Sequence, residues 1–283
     1  RYDQAERVIL EILEEEPNNA EATKLMERLD KIRIKNKIML EYDFEFYEEP
    51  WSRRWHLFAV SYERKTKIGS IIGRIYAGDM VRTGEDPLFG DGAVFQYELE
   101  AYPQFSKSNY AYINYSYSPD SLFPEHRVGL EFFQKLPWSM EVSAGGRYLR
   151  FVNSNDDVNE VYIITGSISK YYRQYWFSFR PYISPQTNGV DQSYNLMIRR
   201  YLKTADNFLF VELATGNSPD DPTRYFGGFD NYTLNRYSVR SGFQWLFLPR
   251  WVWYLEVGYS YEEFRDKEYR NALRAGVKIG YYF

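Results

Sequence analysis

The sequence predicts a mainly β fold: a transmembrane, up-and-down antiparallel β-barrel of about fourteen strands, with roughly twelve as the lower count, preceded by a short α-helical hairpin. Three observations predict it. Hydrophobic alternation with period two begins near residue 38 and runs to the last residue. The connections between the alternating segments are short on one side and long on the other. Aromatic side chains make up 19% of the 283 residues, and they gather at strand ends, where a membrane interface favours them.

The chain opens in a different style. Ala5, Val8, Ile9, Ile12 and Leu13 keep a helical spacing, Pro17 breaks it, and Ala20, Ala22, Leu25, Met26 and Leu29 form a second stripe. The stretch "AERVILEILEEEPNNAEA" resembles the junction between two tetratricopeptide repeats. One such unit cannot bury its own face, so further repeats are expected ahead of Arg1. The expected division is 1–36, the end of a tetratricopeptide-type periplasmic region, and 37–283, the barrel.

From Ile38 the period changes. Ile38, Leu40, Tyr42, Phe44 and Phe46 alternate with Met39, Glu41, Asp43 and Glu45. Comparable segments lie near 55–64, 68–82, 93–102, 109–117, 126–135, 138–151, 158–171, 174–184, 192–203, 206–216, 232–247, 251–262 and 269–283. Short connections are "RKTK" (64–67), "KLPW" (135–138), "YRQY" (172–175), "KTADN" (203–207) and "FLPR" (247–250). Longer, turn-rich ones are 83–92, 118–125, 152–157 and 215–231.

Alternation alone does not say which row is inside. The polar rows carry small residues beside charges, as in Ser143, Gly145 and Arg147, or Ser238, Arg240 and Gly242. On a wet outer surface small residues serve little purpose, whereas in a lumen they make room for long charged partners. The apolar rows end in Trp138, Tyr175, Trp245, Phe247, Trp251, Trp253, Tyr281 and Phe283 near the short turns. Apolar residues are therefore expected on lipid and polar ones in the lumen. Closure of the first strand on the last would set Glu41, Asp43 and Glu45 beside Arg274 and Lys278.

Composition excludes several classes. No apolar run approaches ~18 residues, so no spanning helix is expected. The formal net charge of -4 gives no general pull toward nucleic acid. The absence of cysteine removes disulfide and thiolate–metal chemistry. No cofactor is expected; "GEDPLFGDG" is neither a P-loop nor a dinucleotide fingerprint.

The expected lumenal charges are Glu41, Asp43, Glu45, Glu98, Glu100, Glu131, Glu141, Arg147, Arg180, Arg199, Arg236, Arg240, Glu256, Arg274 and Lys278. Acids dominate the early strands and arginines the late ones. Either a transverse field crosses an open pore or opposite signs pair and fill a narrow lumen; the bulk of the side chains favours the second. Catalysis has thin support: His56 and His126 sit near strand starts, with Ser121, Asp120 and Glu125 close to His126 in sequence. Asp86, Asp91, Asp220, Asp221 and Asp230 lie in long loops without EF-hand spacing and read as turn residues rather than calcium ligands.

The chain ends "ALRAGVKIGYYF". Val277, Ile279, Tyr281 and Phe283 form the outer row of that strand and resemble the C-terminal signal read by the machinery that assembles bacterial outer-membrane barrels. An even strand number would place both chain termini in the periplasm, with the helices. Helices leading into "IMLEYDFEFYEEPWSRRWHLFAVSYERKTKIGSIIGRIYAG" resemble the YaiO family of outer-membrane β-barrel proteins. The resemblance implies fold and location and carries no catalytic residue. The expected role is a non-enzymatic scaffold or accessory subunit of an envelope assembly, in contact with outer-membrane lipid and docking a protein partner through the helices. A narrow channel for small polar or saccharide solutes is the alternative, and a lipid- or glycan-modifying enzyme the third.

Overall fold

In the computed structural model, Tyr2–Glu15 (α1) and Ala20–Arg33 (α2) form a helical hairpin that packs Ile9 against Ala22 and Leu29, with Leu13 and Met26 at its edge. Asn19 caps α2: its Oδ1 accepts the backbone N–H groups of Glu21 and Ala22. The structure describes residues 2–16, 19–48, 52–82, 93–152, 157–186, 189–202, 204–216, 235–248, 250–265 and 267–283. The loop aspartates 86, 91, 220, 221 and 230 lie outside these residues.

Each alternating segment forms a strand: β1 (Asn36–Tyr47), β2 (Arg53–Thr66), β3 (Gly69–Arg82), β4 (Val94–Pro103), β5 (Asn109–Tyr117), β6 (His126–Leu136), β7 (Met140–Val152), β8 (Val158–Tyr172), β9 (Tyr175–Gln186), β10 (Gly189–Tyr201), β11 (Phe208–Thr215), β12 (Arg236–Leu248), β13 (Trp251–Arg265) and β14 (Glu268–Tyr282). Neighbours in sequence pair antiparallel, and β14 pairs with β1 to close the barrel. Closure removes every sheet edge, which hydrocarbon would otherwise leave unsatisfied. At the seam the Phe283 carbonyl accepts from Asn36 N–H at 2.9 Å, and Phe283 N–H donates to the Asn36 carbonyl at 2.9 Å.

The turns after β2, β6 and β8 are tight. The hairpin after β6 bends at Trp138 and Ser139, with φ of 59° and 57°, the left-handed geometry that matches strand twist. Two connections on the opposite, long-loop end are also short, those between Gln186 and Gly189 and between Arg265 and Glu268. Length therefore does not divide the two ends as cleanly as the sequence suggests; β1 still begins, and β14 still ends, on the end of the β2, β6 and β8 turns.

The inverted arrangement holds. Leu40, Leu130, Ile164 and Val257 stand outward, with Leu130 59% and Val257 65% exposed. Glu45, Glu98, Glu131, Arg147, Arg236 and Glu256 are buried on the inner wall. Trp138, Trp245, Phe247, Trp251 and Trp253 are exposed near the turn end. The interior is nonetheless not ionic throughout. Toward the long-loop end Trp55, Leu57, Met80, Leu149, Phe151, Val161 and Ile163 form a buried apolar cluster on the inner wall. The loop after β5 folds in over them: Phe123 is wholly buried, with its ring 6.0 Å from that of Trp55. Gly78 is the floor of this contact, since a Cβ there would stand 2.5 Å from the Trp55 ring.

Candidate functional site in the barrel lumen

Strand parity sends alternate side chains inward, and closure decides which of them meet. Across the seam Glu41 is level with Lys278 and Glu45 with Arg274. Lys278 Nζ donates to Glu41 at 2.6 Å, and Arg274 reaches Asp43 at 3.2 Å and Glu256 at 3.1 Å. Arg240 spans from Glu256, at 3.3 Å, to Glu212, at 2.7 Å. Higher in the barrel, Arg236 donates to Glu45 at 2.8 Å and to Glu262 at 2.7 Å, and Arg270 donates to Glu262 at 2.6 Å.

The second half of the network lies on β3 to β9. Glu98 is held between Arg74 and Arg127, and Arg74 also faces Glu100 and Glu41, at 3.5 and 3.7 Å. Glu131 accepts from Arg147 at 2.8 Å, from Arg180 at 2.7 Å and from Ser143 Oγ at 2.5 Å. Small residues make this crowding feasible. A Cβ on Gly145 would fall 2.5 Å from Glu131 Cα, and one on Gly129 3.0 Å from Arg147 Cδ. Gly276 likewise faces the Asp43 carboxylate, 2.5 Å from where its Cβ would be.

Every charge expected in the lumen is on the inner wall. Glu141 accepts the Tyr110 hydroxyl at 3.0 Å, and Arg199 lies over the Trp176 and Phe208 rings. Sequence reasoning missed Arg74, Arg127, Glu212, Glu262 and Arg270. Parity was a sufficient signal for three of them: Arg127 shares the face of Glu131, Glu262 that of Glu256, and Arg270 that of Arg274. The expected split between early acids and late arginines is corrected by Arg74 and Arg127, which neutralise Glu98 on the early strands. The wall carries interleaved pairs, not a transverse field.

What remains open is a cavity of about 510 Å³ that reaches across the lumen, lined by Tyr76, Trp176, Arg180, Arg199, Arg240 and Lys278 among others. The histidines are elsewhere. His56 faces outward against the Tyr42 hydroxyl at 2.9 Å, and His126 against that of Tyr115 at 3.1 Å. Asp120, the expected companion of His126, instead accepts the Phe95 backbone N–H, and Glu125 pairs with Arg150. Among the described residues no hydrogen bond or ion pair joins His126 to Asp120 or Glu125.

A family model described as YaiO membrane beta barrel domain matches residues 35–221. It begins after the helical hairpin, so the tetratricopeptide character of 1–36 has no counterpart in the match. No curated protein matches the sequence. Among solved structures, the chain is similar to the CymD monoaromatic hydrocarbon channel, with a TM-score of 0.54 and 11% identity over 91% of each chain. It also resembles an anion-selective porin from Comamonas acidovorans, with a TM-score of 0.47 and 8% identity over 88% of this chain and 99% of that one. At 11% identity the likeness to the CymD channel speaks to the fold alone, a barrel of the outer-membrane type.

Proposed function

Since the chain belongs to the YaiO membrane β-barrel domain family, we propose that it is a non-enzymatic scaffold of the bacterial outer membrane, an accessory subunit whose helical hairpin docks a periplasmic protein. The observation that carries this reading is the surface of the hairpin. Among the described residues, α1 and α2 bury Ile9, Ala22 and Leu29, and leave Val8, Leu10 and Leu25 exposed at 54%, 46% and 42%. Apolar side chains in water at that density are a surface awaiting a partner. The barrel suits an anchor: most of its inner-wall charges are paired with one another, and the Trp55–Phe123 cluster packs inside its long-loop end. On this reading the N- and C-termini lie in the periplasm, where the assembly machinery reads Val277, Ile279, Tyr281 and Phe283.

Quantitative cross-linking in native membranes tests it, comparing the intact chain with Val8→Glu/Leu25→Glu. Loss of specific cross-links from the hairpin is expected. Unchanged cross-links would count against the scaffold.

A second reading is a narrow channel for small polar or saccharide solutes, and the open cavity in the lumen favours it. Planar-bilayer recordings separate the two. Steady openings altered by Arg180→Ala or Arg240→Ala support the channel, and electrical silence supports the anchor.

A further inference from the structure

Among the described cations that line the cavity, one stands apart. Arg74, Arg180, Arg240, Arg274 and Lys278 line the cavity, and each is bonded to a carboxylate. Arg199 lines the same cavity, yet among the described residues it has no carboxylate within ion-pair distance and no hydrogen-bond acceptor; its Nε is buried and unpartnered. Its guanidinium instead lies 4.2 Å from the Phe208 ring centroid and 5.0 Å from that of Trp176. Both rings lie against the guanidinium without satisfying any of its five donors.

Such a group suits one chemistry. A guanidinium presents a fork that matches a carboxylate in bidentate fashion, and it is strongest where rings already exclude water. The rest of the cavity narrows the class. Glu41, Asp43, Glu141 and Glu212 line it too, and they repel a multiply charged anion. Ser167, Ser169, Ser178 and Asn195 offer hydroxyl and amide groups suited to a hydroxylated solute. A volume near 510 Å³ suits a molecule of one or two sugar rings.

We propose that the lumenal cavity is a binding site for a hydroxylated monocarboxylate of the size and chemistry of a uronic acid, its carboxylate seated on Arg199 between Trp176 and Phe208. The site needs neither conduction nor the helical hairpin, so it stands or falls apart from both readings above.

Isothermal titration of the detergent-solubilised full chain with glucuronate tests it, with glucose, glucuronamide and inorganic phosphate as comparators. Glucuronate is expected to bind saturably, glucuronamide and glucose at least about tenfold more weakly, and phosphate no better than glucuronamide. Arg199→Gln is expected to lose about tenfold or more for glucuronate and to leave the weak binding of glucose unchanged. The comparison with glucuronamide uses the native chain, so the test survives a variant that fails to fold. The proposal is overturned by no glucuronate binding, by equal binding of glucuronamide, by phosphate outcompeting glucuronate, or by a folded Arg199→Gln chain that binds as before.

Discussion

Replacing Glu131 by alanine tests the claim that the inner wall is held by ion pairs. The carboxylate is 1% exposed and receives Arg147, Arg180 and Ser143 at 2.8, 2.7 and 2.5 Å. The Arg147 side chain is 4% exposed and the Arg180 side chain 20%. Arg147 is therefore the member that suffers most: it keeps its contact over the Tyr112 ring, 4.7 Å away, but loses the carboxylate that offset its desolvation. Removing one partner of a buried pair costs about 3–5 kcal/mol, and the more accessible Arg180 recovers part of its share through water, so the lower half of that range is expected. Glu131→Gln keeps the shape and one acceptor and should cost about 1.5–3 kcal/mol. The assay is reversible unfolding by urea in lipid vesicles, followed by tryptophan fluorescence and by heat-modifiable migration on gels. A companion Arg147→Met/Glu131→Leu chain should be more stable than Glu131→Ala, because no uncompensated charge at Arg147 remains. Glu131→Ala within about 0.5 kcal/mol of the native chain would refute the reasoning, since so buried a carboxylate would then be contributing nothing.

Three further outcomes follow from the same structure. Leu130→Arg, on the outward face of β6, should cost about 2–4 kcal/mol in vesicles, whereas the same change at exposed Ile68 in the turn after β2 should cost under about 1; equal costs would contradict the lipid-facing assignment. Phe123→Ala should remove about 3–5 kcal/mol of packing and raise ion flux through reconstituted barrels, and unchanged flux would show that the Phe123 cluster is not the constriction. Deletion of Phe283 removes both seam hydrogen bonds to Asn36 and should slow folding into vesicles with little change in the ion-pair network; native folding rates would argue against closure as a late, terminal-strand step.

Much of the architecture was legible in the residues. The alternation that begins at Ile38 marked each of the strands from β1 to β14, because a strand's side-chain period is local and survives whatever its neighbours are. The pairing of Glu41 and Asp43 with Lys278 and Arg274 was also legible, because closure of an even-stranded barrel leaves the first and last strands only one place to go. Trp251 and Trp253 announced the turn-end girdle by their position alone. Other features were not readable. Trp55, Leu149 and Ile163 are apolar residues on the inner parity, and a single strand cannot say that three such rows converge at one height beneath an infolded Phe123. Arg74 hid in a strand where Ile72 shares its inner face and blurs the alternation.

By itself, then, the sequence determined the kind of object this is: period-two strands, an apolar outer row, a polar inner row and a terminal strand able to meet the first. Only the tertiary structure decided which inner charges meet and which are left over. Register and stagger set the height of each side chain on the wall, and that height separates Glu131, gripped by Arg147 and Arg180, from Arg199, which lies over two rings and, among the described residues, within ion-pair distance of no carboxylate. Parity is a property of one strand, whereas partnership depends on how all of them close.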